Sequence, residues 1–557
     1  MKHDQMGGRG AAALAAAPED VAAYTAAGWW STETLTDHIR RHAATQPDRT
    51  AFVDEHGDRM SWRGYDEASD RIAAALLAAG LERGDRAVVL MPDGPLVHAA
   101  FVGAEKAGVV VMGIGHRAGE SELDHLIGKS DARAIVTLPE HGDRPATELV
   151  DRLRARHATL RHHLVVHGPS TECRIEVVGS DAEAPTGAAL RALVDERRIG
   201  PNELFLLNST SGTTGLPKCV MQFQNRWHYF HRKAEEFGAL TSDDVFMSVV
   251  PAPFGFGLWT AHFTPTILGA PCVVMRRFDV ERMIELIERE RVSVLACVST
   301  QFIMMLNSPA LDRHDLSSLR VMFTGGEAIP EARAREFESR TGASVMNFYG
   351  SNETGLLSGT RLDDPPHKRL TTGGRIVEEM QVRLYTTDGA RIDGDRGRGV
   401  PACKGPATTI GYYDDPAANE KLFTSDGWML MGDVVEIDDE GWLSVVGRTS
   451  DFIIRGGKNI SAPAVEDEVA THPAVSMVAV VPAPDPVFGE RVAAYVELKP
   501  GTALDLDGLR EHLAARGVSK EWFPEYLFVV DELPRASGGK VAKGELKKDA
   551  AARVNAG

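Results

Sequence analysis

Short apolar runs rich in β-branched residues alternate with amphipathic stretches through most of the first 400 residues. The apolar runs include Arg86–Met91, Gly108–Ile114, Arg133–Thr137 and Cys272–Met275, and the amphipathic stretches include Asp70–Leu81 and Asp279–Glu290. Parallel strands need long crossover connections, and these are usually helices. The alternation therefore predicts an α/β fold with stacked, largely parallel sheets.

The chain has 557 residues, which is more than one compact hydrophobic core usually holds. A polar turn segment at Gly389–Val400 predicts a β-rich subdomain over about 370–447, and a second break falls at Gly447–Ser450. The predicted divisions are an N-terminal tail at 1–34, a large domain at 35–447 and a small mobile α+β domain at 448–557.

Composition excludes several classes of function. The chain carries 61 Lys and Arg against 79 Asp and Glu, a net charge of −18, which argues against nucleic acid as a partner. No apolar run approaches the ~20 residues of a membrane span. Five scattered cysteines without a CxxC pair fit a reduced, cytoplasmic compartment and argue against a disulfide scaffold or a cysteine-bound zinc site. They are Cys173, Cys219, Cys272, Cys297 and Cys403.

The segment Ser209–Lys218, with the sequence STSGTTGLPK, is the most informative motif. Its small hydroxylated residues and two glycines allow backbone N–H groups and hydroxyls to surround phosphate oxygens, and Lys218 adds positive charge. It is not a Walker A loop, because Leu216 and Pro217 separate Gly215 from the lysine.

This segment closely resembles the phosphate-loop signature of adenylate-forming enzymes, the superfamily of acyl-CoA synthetases, peptide-synthetase adenylation domains and luciferases. Further segments resemble that superfamily's motifs in the same order. They are Thr324–Ala328 (TGGEA), Asn347–Thr354 (NFYGSNET), Gly427–Asp433 (GWMLMGD), Gly447–Glu466 and Leu533–Lys543 (LPRASGGKVAK). The resemblance covers about residues 35–548.

The resemblance implies which residues bind ATP or AMP. Tyr349 would offer an aromatic face to adenine, and Gly325 and Gly326 would allow close backbone approach. Asp433 would accept hydrogen bonds from both ribose hydroxyls, and Arg448 would also reach the ribose. The other nucleotide-binding candidates are Ser211, Thr213, Thr214, Glu327, Asn347 and Asn352.

The resemblance also implies the catalytic residues. Lys540 would neutralise charge as a carboxylate attacks the α-phosphorus, with Lys218 beside the phosphates, and preorganised charge of this kind is worth roughly 10²–10³ in rate. Glu353 is the candidate Mg²⁺ ligand, since Mg²⁺ prefers one or two carboxylates plus phosphate oxygens. Ser450 would lie at the hinge. The coenzyme A tunnel would be lined by Gly456, Gly457 and Lys458.

The acid pocket is predicted at Pro251–Trp259, with the sequence PAPFGFGLW. Peptide-synthetase domains place an aspartate near this point to pair with an amino group, and this segment has no charge. Burying an unpaired ammonium is costly, so the substrate is expected to be a carboxylic acid without an α-amine. Aromatic walls and two glycines favour a bulky alicyclic, terpenoid-like or aryl acid. The pocket candidates are Phe254, Gly255, Phe256, Gly257 and His228.

The expected function is that of an acyl-CoA ligase in secondary metabolism, which forms an acyl-adenylate from acid and ATP·Mg²⁺ and then a CoA thioester. Dimers are common among such enzymes, so a homodimer is one option, but the sequence does not fix the oligomeric state. Three alternatives are loading of a separate carrier protein, a luciferase-like oxygenase and a non-catalytic adenylate-binding protein. Retention of Lys218, Glu353, Asp433 and Lys540 argues against the last.

A fourth alternative comes from departures from the family pattern. Cys219 replaces a glycine, Asn352 a threonine that hydrogen-bonds the α-phosphate, and Met431 a threonine, and all three positions bear on ATP handling. Ser450 replaces the usual hinge Asp or Lys. These departures suggest an enzyme with weak adenylation that is specialised for thioester formation from a supplied acyl-adenylate, whereas tolerated drift in a two-step ligase is the simpler interpretation.

Overall fold

The computed structural model describes residues 16–170, 172–209, 217–326, 329–448, 452–455, 458–536 and 540–556. These residues divide into two compact units. Unit 1 contains the described residues of Met1–Ala296, Gly350–Leu356 and Gly405–Phe423, and unit 2 contains those of Cys297–Tyr349, Leu357–Lys404 and Thr424–Gly557.

Unit 1 contains a seven-stranded sheet whose five central strands are parallel and whose two edge pairs are antiparallel. In spatial order the strands are Cys219–Phe223, Leu204–Ser209, Val110–Gly113, Arg86–Leu90, Ala134–Thr137, His162–His167 and Arg174–Val177. The middle strand, Arg86–Leu90, is buried along its whole length, as is typical of a parallel strand covered on both faces.

A second run of strands in unit 1 has the order Arg59–Ser61, Thr50–Val53, Cys272–Val274, Phe246–Ser248 and Val294–Ala296, the last four being parallel. Glu140–His141 and Arg144–Pro145 form a hairpin. Helices, including the π-helix Leu258–Phe263, connect the strands. The α-helices are Pro18–Ala26, Leu35–Thr45, Trp62–Ala78, Pro95–Ala107, Glu120–Ser130, Ala146–Arg156, Gly187–Arg197, Gln224–Gly238, Gly255–Gly257, Thr264–Leu268, Val280–Glu290 and Pro416–Leu422.

The helix Val280–Glu290 shows how local sequence sets these elements. The Asp279 side chain accepts a hydrogen bond of 2.8 Å from the Arg282 N–H and so caps the first turn. Arg291, with φ of 53°, follows the last turn in the left-handed conformation. The apolar residues fall on one face at helical spacing and are buried. They are Met283, Ile284, Leu286 and Ile287.

Unit 2 contains the strand Val321–Gly325, most of its parallel neighbour Ser344–Ser351, most of Gly355–Gly359 with its antiparallel partner Arg375–Ile376, and a β-rich sheet. The β-rich sheet has the order Gln381–Tyr385, Gly397–Lys404, Asp433–Ile437 and Leu443–Arg448, with Met429–Leu430 paired to the second of these. The α-helices of unit 2 are Ser299–Asn307, Glu331–Thr341, Pro366–Thr371, Ala462–Ala470, Leu506–Ala515 and Lys543–Ala556, and the 3₁₀ helices are Pro309–Asp312 and Lys520–Trp522.

The C-terminal part of unit 2 has a sheet and a hydrophobic core of its own. Its strands have the order Lys458–Ser461, Phe452–Arg455, Gly489–Leu498 and Val475–Asp485, and Tyr526–Val529 pairs with Gly489–Leu498. This core includes Ile453, Val465, Val480, Val492 and Leu509, which are all at most 1% exposed. A separate core is what a small α+β domain requires.

The predicted α/β class with largely parallel sheets is confirmed. The domain limits at 447 and 448 stay a prediction. Part of the predicted N-terminal tail is folded, because Pro18–Ala26 is helical and Trp30 is 5% exposed and packs against Phe223. Among the described helices, none combines the length and apolarity that crossing a bilayer requires. None of the five cysteines, all of which lie in the described ranges, forms a disulfide bond, and all are buried.

Candidate active site

Within unit 2 the structure brings together three residues of the predicted nucleotide site. The Tyr349 hydroxyl donates a hydrogen bond of 2.9 Å to Asp433 Oδ2 and lies 3.9 Å from Met431 Sδ. Strand pairing places Arg448 opposite Asp433. Tyr349 and Asp433 are 7% and 9% exposed, so the strands hold this pair firmly. We call Tyr349, Met431 and Asp433 the nucleotide cluster.

Lys540 lies at the predicted glycine turn, also in unit 2. Its Nζ donates a hydrogen bond of 2.7 Å to the Gly326 carbonyl oxygen. Gly326 has φ of +78°, a conformation that favours glycine, and a Cβ atom there would lie 2.6 Å from the Lys540 ammonium. A Cβ atom at Gly325 would lie 2.2 Å from the Phe348 carbonyl oxygen, so packing between neighbouring strands requires that glycine.

Asn347 precedes the nucleotide cluster on the strand Ser344–Ser351. Its side-chain amide donates a hydrogen bond of 2.9 Å to the Thr372 carbonyl oxygen, and its backbone N–H and C=O are both paired with Thr360. The Asn347 amide therefore has a structural partner in the fold. Its predicted role in nucleotide binding stays a prediction.

Within unit 1, two predicted residues share a third partner that the motifs did not indicate. The Tyr412 hydroxyl donates a hydrogen bond of 2.7 Å to Glu353 Oε1, and Lys218 Nζ lies 4.7 Å from the centre of the Tyr412 ring. Burial, together with the Glu353 carboxylate, raises the pKa of Tyr412, so this phenol stays a hydrogen-bond donor at neutral pH. Lysine above an aromatic face is a favourable cation–π arrangement.

Asn352 joins a largely buried hydrogen-bond network in unit 1. Its Oδ1 accepts hydrogen bonds from the Gly255 N–H at 3.1 Å and from Asn208 Nδ2 at 3.3 Å. Gln222 Nε2 donates to Asn208 Oδ1 at 2.8 Å, and Arg226 Nη1 donates to Gln222 Oε1. We call Asn208, Gln222, Arg226 and Asn352 the Asn352 network.

The Arg226 guanidinium also binds the backbone around Glu353. It donates to the carbonyl oxygens of Asn352 at 2.8 Å, Glu353 at 3.0 Å and Ala407 at 2.8 Å. Arg226 is 1% exposed, and Gln222 and Asn208 are fully buried. A buried charge needs several hydrogen bonds to offset its lost hydration, and the carbonyl groups supply them.

The predicted acid segment packs onto aromatic residues of unit 1. Phe256 makes an edge contact with Trp259 at 5.4 Å, and Trp259 stacks on Phe230 at 4.9 Å. A Cβ atom at Gly255 would lie 2.4 Å from Asn352 Oδ1, and one at Gly257 would lie 2.2 Å from the Pro251 carbonyl oxygen. The expectation that these glycines leave volume for the acid is wrong, because backbone and Asn352 occupy those directions.

Two further residues singled out in the sequence are buried in unit 1. His228 is 4% exposed and packs between His38 and Phe263, at ring distances of 5.5 and 6.1 Å, and its place in the acid pocket stays a prediction. Cys219 is fully buried, and burial raises its pKa to about 12. Its thiol therefore stays protonated at neutral pH, and its predicted effect on ATP handling stays a prediction.

Several predicted site residues lie outside the described parts of the chain. They are Ser211, Thr213, Thr214, Glu327, Ser450, Gly456 and Gly457, together with the side chains of Arg448 and Lys458.

One carboxylate in the site fits the requirements of Mg²⁺. Glu353 is half-buried and accepts a hydrogen bond from Tyr412, whose ring also contacts Lys218. Mg²⁺ is commonly held by one or two carboxylates plus substrate phosphate oxygens. No group of three or more His, Cys, Asp or Glu side chains within the described ranges could hold a metal by itself. The donor set therefore suits an ion that arrives with a phosphorylated substrate.

Sequence reasoning missed Arg226, Gln222, Asn208 and Tyr412. Each lies outside the recognised motifs, and Tyr412 acts on a carboxylate 59 positions away in the chain. Two sequence features could have drawn attention to these residues. One is the charged Arg226 at the start of the otherwise aromatic segment Arg226–Phe230, and the other is the Gly-Tyr-Tyr triplet at 411–413. Neither signal has chemical meaning until the fold brings the segments together.

Comparison with known proteins shows the family of this chain. The family described as AMP-binding enzyme matches residues 39–413, and its C-terminal domain family matches residues 464–540. A medium-chain fatty-acid–CoA ligase of Escherichia coli (strain K12) is 30% identical over 96% of this chain and 93% of that protein. A salicylyl-CoA synthase / salicylate adenylyltransferase of a Streptomyces species is 33% identical over 94% of this chain and 95% of that protein.

Comparison with solved structures shows that the fold is shared as well. The crystal structure of ATP-bound MatB from Rhodopseudomonas palustris superposes with a TM-score of 0.77, covers 92% of this chain and 98% of that chain, and is 24% identical. The chain belongs to the AMP-binding enzyme family. The predicted class of enzyme, an AMP-forming acid–thiol ligase, is confirmed with it.

Proposed function

We propose that this protein is a two-step acyl-CoA ligase for a carboxylic acid that carries an apolar ring and no α-amine. In the first step a carboxylate oxygen attacks the α-phosphorus of ATP, giving acyl-AMP and pyrophosphate. In the second step the thiol of coenzyme A attacks the acyl carbon, giving thioester, AMP and a proton.

The contact between Lys540 and Gly326 is the observation that carries the proposal. It places the candidate catalytic ammonium 2.7 Å from the carbonyl of the glycine turn expected beside adenine, which is an arrangement suited to adenylation. Such a charge stabilises the phosphorus centre without covalent chemistry by the protein. This supports the two-step ligase over an enzyme that only converts supplied acyl-adenylate.

The remaining residues have matching roles in the proposal. Tyr349 and Asp433 would hold adenine and ribose, and Lys218 would contact the phosphates. Glu353 would hold Mg²⁺, which supplies positive charge to the phosphates when bound. Tyr412 would orient the Glu353 carboxylate. The Gly456–Lys458 loop would admit the pantetheine arm after the small domain moves.

The acid class follows from the segment Pro251–Trp259, which has no ionisable side chain. Phe254 and Phe256 are half-buried, so aromatic surface remains for a ligand, whereas Trp259 is 1% exposed and belongs to the core. The fatty acid and the salicylate in the relatives' names both lack an α-amine. A ring acid is favoured because flat aromatic faces pack well against rings.

The test is a mass-spectrometric assay with ATP, Mg²⁺ and pairs of acids that differ only in an α-amine, for example 3-phenylpropanoate and phenylalanine. Each acid is supplied without acceptor, with coenzyme A, or with a phosphopantetheinylated carrier protein. Acyl-AMP and acyl-CoA from the amine-free member alone would support the proposal. Transfer to the carrier alone would replace coenzyme A as acceptor, and thioester from synthetic acyl-AMP without any adenylation would overturn the two-step assignment.

A further inference from the structure

The orientation of the Asn352 amide is set from outside its own motif. An arginine side chain has only donors, so the bond from Arg226 to Gln222 fixes Oε1 of Gln222 as the acceptor. The Gln222 Nε2 must then donate, and it does so to Asn208 Oδ1 at 2.8 Å. The Asn208 Nδ2 donates in turn to Asn352 Oδ1 at 3.3 Å.

A second fixed donor at the other end of the chain of bonds gives the same orientation. The Gly255 backbone N–H can only donate, and it donates to Asn352 Oδ1 at 3.1 Å. Both ends therefore require the Asn352 oxygen to face the network. The alternative orientation of the amide would place N–H groups against the Gly255 and Asn208 donors.

The Asn352 Nδ2 group is consequently the end of the side chain that remains for a ligand. It donates no hydrogen bond to any residue in the described parts of the chain, and Asn352 is half-buried whereas Asn208 and Gln222 are fully buried. Asn352 lies between Gly255, at the start of the acid segment, and Glu353, the candidate Mg²⁺ ligand. In the proposed function both neighbours would face the anionic substrate.

We propose that Arg226 is a positioning residue that acts through Gln222 and Asn208 to hold the Asn352 amide with its NH₂ group toward an anionic oxygen of the substrate. That oxygen belongs to the α-phosphoryl group of the nucleotide or to the carboxylate of the acid. The inference rests on the proposed function. It also reinterprets a departure from the family pattern, because asparagine at 352 keeps the donor that a threonine hydroxyl would supply.

The same geometry distinguishes asparagine from threonine at this position. A threonine hydroxyl rotates freely about its C–O bond and finds an acceptor without help. An asparagine amide presents either an acceptor or a donor, and the wrong face would repel an anion. The orientation of an asparagine at 352 therefore depends on the hydrogen bonds from Arg226 through Gln222 and Asn208, which we call the relay. A threonine at 352 would not need the relay.

The test compares one relay variant in two backgrounds. Gln222→Glu keeps the acceptor for Arg226 but has no N–H, so the Asn208 amide should turn its NH₂ group to the new carboxylate and its oxygen toward Asn352. The Asn208 oxygen then opposes the orientation that the Gly255 N–H favours, with little change in volume. Acid-dependent pyrophosphate release is measured for the wild type, Gln222→Glu, Asn352→Thr and the double variant. Arg226→Lys is the second relay variant, and melting temperatures are recorded for all.

We expect Gln222→Glu to lower the adenylation rate about 10- to 100-fold, the effect of losing one hydrogen bond to a charged group. The rate of Asn352→Thr is the reference for the second background, in which Gln222→Glu should cause no further loss. An equal loss in both backgrounds, or no loss in either, would overturn the relay. A loss of rate in Asn352→Thr that matches Gln222→Glu would overturn it as well.

Calorimetric binding of AMP provides a readout without turnover. Weaker AMP binding by Gln222→Glu, restored in the double variant, assigns the acceptor to the phosphoryl group. Unchanged AMP binding with a raised KM for the acid assigns it to the carboxylate. If the wild type releases no pyrophosphate with any acid, the proposed function fails. In that event calorimetric binding of AMP and of 3-phenylpropanoate decides the relay, which is overturned when all four proteins bind both ligands alike.

Discussion

The nucleotide cluster in unit 2 and the Asn352 network in unit 1 hold their motif residues in different ways. In the nucleotide cluster, Tyr349 and Asp433 come from recognised motifs and bind each other. In the Asn352 network, the partners of Asn352 are Gly255 and Asn208, and the guanidinium of Arg226 holds the adjoining backbone. Motif residues are thus sufficient to describe the first site, and the second depends on side chains that carry no signature.

Burial separates Lys540 from the residues of the Asn352 network. Lys540 is partly exposed and meets a backbone carbonyl of the glycine turn, so its loss leaves the surrounding packing intact. Arg226, Gln222 and Asn208 are at most 1% exposed, so their loss leaves buried polar groups without partners. We expect variants beside the nucleotide cluster to affect rate, and variants in the packed part of unit 1 to affect both rate and stability.

The largest expected effect is that of Lys540→Ala. Acyl-AMP formation should fall about 10²–10³-fold, because the variant removes a preorganised positive charge. Conversion of synthetic acyl-AMP and coenzyme A to thioester should stay near the wild-type rate, with an unchanged melting temperature. Both half-reactions are followed by mass spectrometry, with the exposed Lys548→Ala as the control. Loss of both half-reactions in a folded protein would contradict this division of roles.

Gly257→Ala should destabilise unit 1 and leave the acid preference unchanged. A Cβ atom would lie 2.2 Å from the Pro251 carbonyl oxygen and 2.5 Å from that of Val250, and overpacking of this kind costs about 1–3 kcal/mol. Thermal and chemical unfolding measure the loss, with Gly119→Ala as the control, since no atom lies within 4 Å of a Cβ there. Normal stability with selective loss of large acids would show instead that Gly257 lines the pocket.

Acid pH should destabilise unit 1 through its buried histidines. Burial lowers the pKa of His231 to about 3 and that of His38 to about 4, whereas an unfolded histidine titrates near ~6.5. Between these values the unfolded state binds more protons, so the free energy of unfolding falls as pH falls, by up to about 1.4 kcal/mol per pH unit per histidine.

Urea unfolding between pH 7.5 and 5 tests this dependence. His231→Gln should reduce the pH dependence below about pH 6.5, with the exposed His56→Gln as the control. Arg232 and Glu235 are present in both the wild type and the His231→Gln variant, so their own titration contributes equally to the two pH profiles. An unchanged pH dependence in His231→Gln would show that this histidine is protonated in the folded protein.

Tyr412→Phe should have the smallest of these effects. It removes one hydrogen bond to the Glu353 carboxylate, and we expect adenylation at limiting Mg²⁺ to fall up to about tenfold. Excess Mg²⁺ should restore most of the rate. Combining Tyr412→Phe with Glu353→Gln should add little to Glu353→Gln alone, since the two residues act through one contact. Additive losses would place Tyr412 in a separate role.

The sequence by itself determined the family, the α/β class and the positions of the motif residues. Periodicity placed the strand Arg86–Leu90 within one residue of its observed end and the helix Val280–Glu290 within one residue of its start. Local hydrogen bonding and side-chain burial set such elements, and both are encoded within a few residues of each position. Functional motifs are likewise short and contiguous.

The tertiary structure decided which side chains those motifs depend on. Arg226 and Gln222 lie more than 120 positions from Asn352 in the chain, and Tyr412 lies 59 from Glu353. The glycines at 255 and 257 look like spacers for a ligand in the sequence, yet in the fold Asn352 and backbone carbonyls occupy their side-chain directions. Packing and hydrogen bonding between distant segments have no local pattern, because they depend on positions that only the folded backbone defines.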